Sequence, residues 1–215
     1  MKALILGATG ATGKDLLSII LKDEAFDKVD IFVRKDTGMQ HPKLTTHVVD
    51  FESPEKWQHL VNGDVLFSCL GTTLKKAESK DAQWKVDYEY QHMLAQKARQ
   101  NGVHSYILVS ATGASSSSPF FYLKMKGKLE DAVKGLNFNK MVIFNPPTLM
   151  RENSDRPMEV FSVKALKALN AIGLFKSQKP LSTKTLAQAM VVAAKKLPDG
   201  LRNIQAQEIE QISHA

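Results

Sequence analysis

Cysteine is nearly missing from this 215-residue chain, where Cys69 stands alone. One thiol cannot build an internal disulfide framework, and it fits a reducing compartment, with the cytoplasm as the expectation. Six scattered histidines beside one cysteine give no zinc-ligand spacing, so no metal is expected. Long apolar runs are missing as well. None approaches the roughly 20 residues that cross a bilayer. The N-terminus has a lysine and then a strand-like run, without a signal peptide's layout. No membrane partner is expected. Acid is absent from one long stretch: Val160 to Pro198 holds seven lysines and no Asp or Glu. The net charge of +7 arises there, since 22 basic and 22 acidic residues balance elsewhere. These lysines lack interleaved aromatics, which argues against a nucleic-acid partner. Lys164 and Lys167 fall opposite an apolar stripe of Phe161, Leu166, Leu169 and Ile172, the pattern of a solvated helix face. Attraction of an anionic ligand is the second reading.

What is there is an alternation. Apolar residues make up 43% and charged residues 24%, as in ordinary globular proteins. Nearly continuous apolar runs at 2–7, 28–35, 46–51, 64–71, 105–113 and 140–147 predict strands. Helical spacing predicts helices over 13–22, over a long stretch ending near Gln100, over 120–134 and over 180–196. Ser53-Pro54 starts a short helix, Ser182 or Thr183 caps the one after Pro180, and NIQAQEIEQI reads as a last strand. Strands alternating with helices mean an α/β fold, a doubly wound parallel sheet. A single domain over 1–215 is expected, with 148–182 as an insertion on the substrate side.

The sharpest local pattern is GATGATG at 7–13, between the first strand and the first helix. Helix N-termini offer free amides and a positive dipole end, and glycines let a pyrophosphate approach the backbone. Gly7, Gly10 and Gly13 therefore suit a dinucleotide, with a plain turn of small residues as the alternative. An acid about 20 positions on would hold a ribose 2′-hydroxyl. Here Arg34 and Lys35 stand instead. Arg34 can grip a 2′-phosphate through its fork of donors, which favours NADP(H) over NAD(H). The alternative is that both are ordinary exposed residues. Farther on, Tyr122 and Lys126 lie four apart on one helix face, with Ser110 twelve residues upstream. An ammonium beside a phenol lowers its pKa and lets it exchange protons near neutrality. A core tyrosine beside a surface lysine is the bland alternative.

Together GATGATG at 7–13, CLGTT at 69–73, VDYEYQHMLAQKARQNGVHSYILVS at 86–110, YLKMK at 122–126 and NPP at 145–147 carry a resemblance. The chain resembles the short-chain dehydrogenase/reductase superfamily in its atypical or extended branch, within the group of Tat-interacting oxidoreductase-like and epimerase-like proteins. That resemblance implies that Gly7, Thr9, Gly10, Ala11, Thr12 and Gly13 hold the pyrophosphate, with Arg34 and Lys35 at the 2′-phosphate. It implies Asp50 and Phe51 beside the adenine, Leu70, Gly71 and Thr72 beyond strand four, and Asn145, Pro146 and Pro147 near the nicotinamide. Ser110 would polarise the substrate, Tyr122 would be the general acid/base, and Lys126 would hold ribose and tune Tyr122. Relatives often carry asparagine where Asp87 stands, which sets aside a proton-relay role there. Sugar-nucleotide epimerases of the branch use a larger C-terminal domain, so that activity is the weaker implication. The expectation is an oxidoreductase for a small carbonyl or alcohol, as a possible homodimer, against a cofactor sensor without turnover. Cys69 reads as a buried, inert thiol, with no lysine or histidine adjoining it in sequence.

Overall fold

A computed structural model of the chain describes residues 1–150 and 180–215. Its first strand, β1 (Lys2–Leu6), shows why the sheet forms. Ala3 and Ile5 point to one face and Leu4 and Leu6 to the other, and all four are buried. Apolar residues on both sides of a strand demand cover on both faces, which helices supply. β2 (Lys28–Val33), β3 (Leu44–Val48), β4 (Val65–Ser68), β5 (Ser105–Val109), β6 (Lys140–Asn145) and β9 (Gly200–Gln205) complete a seven-stranded sheet of order β3-β2-β1-β4-β5-β6-β9. Each adjacent pair is parallel. A second, two-stranded pairing joins β7 (Leu149–Met150) to β8 (Leu181–Ser182).

One face is covered by α1 (Ala11–Lys22), α6 (Thr183–Lys196) and α7 (Ala206–Ser213). There Leu16, Ile20, Met190 and Ile209 pack on Ile5, Phe67, Ile107 and Val142. On the other, α4 (Tyr90–Gln100) and α5 (Phe121–Lys134) bring Leu94, Ala98, Leu129 and Val133 onto Leu4, Leu66, Leu108 and Ile143. Each fully buried aliphatic side chain of this kind contributes about 2 kcal/mol. The α/β, doubly wound parallel architecture is as the apolar runs require.

Several boundaries differ from expectation, for local reasons. β3 stops at Val48, so Asp50 and Phe51 lie in the turn beyond it. Ser53 does not cap the short 3-10 turn Pro54–Lys56, because its hydroxyl donates to Asp50 Oδ2 at 3.0 Å. The stretch read as one long helix is broken. It comprises α2 (Leu74–Ala77), which ends at Glu78 with φ 68°, then α3 (Lys80–Trp84), a π-helical turn (Lys85–Glu89) and α4. The final segment divides at Gln205, where a capping box with Glu208 ends β9 and opens α7. Ser182 does cap α6, accepting from the amides of Lys184 and Thr185. Apart from its ends, the expected insertion at 148–182 lies outside the described residues, as does the stripe from Phe161 to Ile172. Among the described residues no helix is long and apolar enough to cross a membrane.

Candidate functional site

β1 and β4 are neighbours, and the chain runs from them to opposite halves of the sheet. Beyond their carboxyl ends lies the crevice where open α/β sheets bind ligands. The glycine loop fills one side of it. Gly7 has φ 86°, and a Cβ there would come within 2.6 Å of Leu70 N, so the loop and the β4 end touch through backbone alone. At Gly13 a Cβ would come within 2.1 Å of Gly7 O, which lets α1 start against the strand. The Gly10 amide donates to Gly7 O at 2.9 Å. No side chain caps α1 at Gly10, and no acid stands in its first turn. The amides of Ala11, Thr12 and Gly13 therefore have no intrahelical acceptor, and Thr9 is exposed beside them. Glycines that cannot bear a Cβ, at an uncapped helix start, fit a pyrophosphate.

Arg34 and Lys35 follow β2 directly and are exposed, and no ion pair involves either among the described residues. The Asp50 carboxylate is used by its own turn, accepting from Glu52 N at 2.9 Å and from Ser53, and these bonds hold it below the ordinary carboxylate value. Phe51 is buried against Trp57 and Tyr90, with ring centroids 5.5 and 5.1 Å away, so its side chain belongs to the core.

Past β4, Leu70, Gly71 and Thr72 form the other wall. The Thr72 amide donates to the Asp87 carboxylate at 3.1 Å, and a Cβ on Gly71 would lie 3.1 Å from the same group. Asp87 sits on the π-helical turn, a local widening often found at functional sites. Gln91 fixes that turn by donating to Asp87 O at 2.7 Å while accepting from Ser68 at 2.8 Å. Asp87 is 1% exposed, and burial pushes its carboxyl up to about 6 against the pull of Lys126 and of the Thr72 amide.

α5 presents Tyr122, Lys126, Glu130 and Lys134 at successive steps of four. Lys126, 3% exposed, donates to Val109 O at 3.3 Å. Burial lowers its pKa, while Asp87, Glu130 and Cys69 oppose the loss of charge. Tyr122 differs from expectation. Its solvent exposure is intermediate, yet burial first, and Asp87 next, raise the phenol well above its ordinary value. Cys69 lies near Lys126 in space, but burial still pushes the thiol up to about 12.

Ser110 and Asn145 converge elsewhere. The Ser110 hydroxyl donates to Glu130 Oε1 at 2.5 Å, and Asn145 Nδ2 donates to the same oxygen at 2.8 Å. Glu130, 7% exposed, thus ties α5 to the ends of β5 and β6. Pro146 is buried and accepts through its carbonyl from the Thr112 amide at 2.9 Å, and Pro147 is half-buried. The sequence reading missed Glu130, although extending the step of four from Tyr122 and Lys126 would have found it. It also set aside a proton-relay role for Asp87 on the asparagine that relatives carry there, whereas tertiary packing puts Asp87 beside Lys126.

Residues 7–191 match a family described as NAD(P)H-binding. Protein FMP52-1, mitochondrial, from Scheffersomyces stipitis is 32% identical over 201 residues, 90% of this chain and 88% of that protein. Protein HTATIP2 from Rattus norvegicus is 36% identical over 170 residues, 77% of this chain and 70% of its own length. Protein FMP52, mitochondrial, from Meyerozyma guilliermondii is 36% identical over 156 residues, and the match spans 66% of it. Among solved structures, UDP-glucose 4-epimerase from Thermotoga maritima superposes with TM-score 0.72 at 14% identity, over 95% of this chain and 76% of the epimerase. That likeness is one of fold. The chain belongs to the NAD(P)H-binding family, together with proteins of the FMP52 and HTATIP2 group.

Proposed function

We propose that the chain is an NADP(H)-dependent oxidoreductase that reduces a small carbonyl compound or oxidises the corresponding alcohol. One observation carries this reading: Tyr122 and Lys126 stand one turn apart on α5, with Lys126 buried beside the carboxylates of Asp87 and Glu130. The bound nicotinamide supplies the hydride chemistry. The loop from Gly7 to Gly13, with Thr9 and the amides of Ala11 and Thr12, holds the pyrophosphate. Arg34 and Lys35 take the 2′-phosphate, and Leu70 to Thr72 line the ribose. Asn145 and Pro146 brace the far end of the cleft through Glu130 and Thr112.

Burial raises the pKa of Tyr122 in the chain without cofactor. At neutral pH the phenol keeps its proton, the form that donates to a carbonyl oxygen as charge builds there. Lys126 stands one turn along α5 from the phenol, and Asp87 and Glu130 oppose the loss of its charge on burial. A second copy of the chain is the protein partner we favour, with no role for nucleic acid or membrane. The lone cysteine supports a reducing compartment, the cytoplasm, while the fungal relatives are named as mitochondrial.

A specific observation favours a second reading, a cofactor sensor without turnover. The Ser110 hydroxyl is bound to Glu130, so it polarises a substrate only by leaving that carboxylate. Calorimetric titration of NADPH and NADH, followed by a carbonyl panel read as NADPH oxidation, tests both. Tighter NADPH binding is expected, and Arg34→Gln removes the preference. Tyr122→Phe lowers turnover by about 100-fold or more while cofactor affinity stays within about threefold of wild type. Turnover unchanged in Tyr122→Phe would falsify the proton-transfer role. If no carbonyl is reduced while NADPH alters self-association, the sensor reading replaces the enzyme.

A further inference from the structure

The mouth of the cleft holds a charge arrangement that the cofactor reading leaves unused. Glu52, in the turn after β3, accepts the Tyr90 hydroxyl through Oε1 and pairs with Lys85 Nζ through Oε2 at 2.7 Å. Lys85 opens the π-helical turn, Tyr90 begins α4, and the Tyr90 ring lies 5.1 Å from that of Phe51, which fixes its direction. The charge of Arg34 acts on the same Tyr90 hydroxyl. A second carboxylate, Asp50, is near too, but its oxygens are taken by Glu52 N and Ser53. Val49 N donates to Val33 O at 2.9 Å, so the turn that carries Glu52 leaves the sheet beside the end of β2, where Arg34 stands. Glu52 and Lys85 hold each other's charge in place: the bond lowers the pKa of Glu52 and raises that of Lys85.

We propose that Lys85 is a specificity-determining residue for the 2′-phosphate: by holding Glu52, it stops that carboxylate from competing for Arg34. This inference rests on the NADP(H) reading. Released from Lys85, Glu52 would either pair with Arg34 or stand unneutralised beside the incoming phosphate. Both oppose a ligand whose extra phosphate is its only difference from NADH. The pair is surface-exposed, 45% for Lys85 and 51% for Glu52, so solvent screening keeps the effect modest.

Dissociation constants for NADPH and NADH are measured at low and high salt for wild type, Lys85→Gln, Glu52→Gln and the double variant. Circular dichroism confirms that these exposed substitutions leave the fold intact. Lys85→Gln is expected to weaken NADPH by roughly three- to tenfold at low salt and NADH by less than about twofold. Adding Glu52→Gln restores NADPH affinity. Equal weakening of both cofactors, weakening of neither, or no rescue by Glu52→Gln overturns the inference; failed rescue would mean that Lys85 acts directly on the ligand. Arg34→Gln separates the two levels. If the wild type shows no preference, or Arg34→Gln leaves it intact, the 2′-phosphate reading fails. If Arg34→Gln removes the preference and Lys85→Gln does not, only the role of Lys85 fails.

Discussion

Asp87 is a carboxylate kept almost out of water, held by the Thr72 amide and set among Lys126, Tyr122 and Gln83. Its raised pKa of about 6 means that the folded chain holds a proton which the unfolded chain has lost. Stability therefore falls as pH rises from about 4, the ordinary carboxylate value, to about 6, and is flat beyond. Function runs the other way. Above about 6 the ionised Asp87 supports the charge on Lys126, and below it that support goes. An acid limb with an apparent pKa near 6 is expected in the pH profile of NADPH oxidation. Asp87→Asn keeps an acceptor for the Thr72 amide but has no charge to lose, so the limb vanishes and the fall in stability between pH 4 and 6 disappears. An unchanged limb in Asp87→Asn would assign it to another group. Asp87 was visible in the sequence as one acid among 22. Nothing local announced its burial, because its neighbours come from α5 and the β4 end.

Among elements, α5 carries most of the proposed chemistry, and it is set by contact rather than by caps. No side chain caps its N-terminus at Phe120. Instead Gly127 lies against the loop before the helix, where a Cβ would meet Ser115 C at 2.1 Å and Ser116 N at 2.2 Å. The Ser115 amide also donates to Leu123 O at 3.1 Å. Gly127→Ala must push backbone aside one residue from Lys126. It is expected to cost about 3 kcal/mol in chemical denaturation and to lower turnover. Lys128→Ala on the exposed side loses only a contact to the Trp84 ring at 5.5 Å, less than about 1 kcal/mol. Equal costs would mean that the loop yields freely. The helix was legible from its spacing, but this close approach was not. Likewise the break from α2 to the π-helical turn was read as one continuous helix, since period alone does not reveal a residue inserted into a turn.

At the scale of the molecule, the cofactor cleft exists because the chain leaves β1 and β4 in opposite directions. A ligand that binds the folded chain and not the unfolded one stabilises the fold by mass action. At a concentration 100 times its dissociation constant, NADPH adds about 2.7 kcal/mol, and for a chain of this length that is a rise in melting temperature of roughly 5–10 °C. NADH at the same concentration is expected to raise it less. A larger shift with NADH would count against Arg34 as a 2′-phosphate ligand. What the sequence determined by itself is whatever local pattern encodes. Apolar runs on both sides of each strand required helices on both faces, and GATGATG placed a tight glycine turn between β1 and α1. A step of four put Tyr122 and Lys126 on one side of α5. Only the tertiary structure decided the rest, because charge and burial depend on neighbours distant in the chain. It raised rather than lowered the Tyr122 pKa and bound Ser110 and Asn145 to Glu130. By bringing a π-helical turn against the β4 end, it also made Asp87 a buried partner of Lys126 and Lys85 the partner of Glu52.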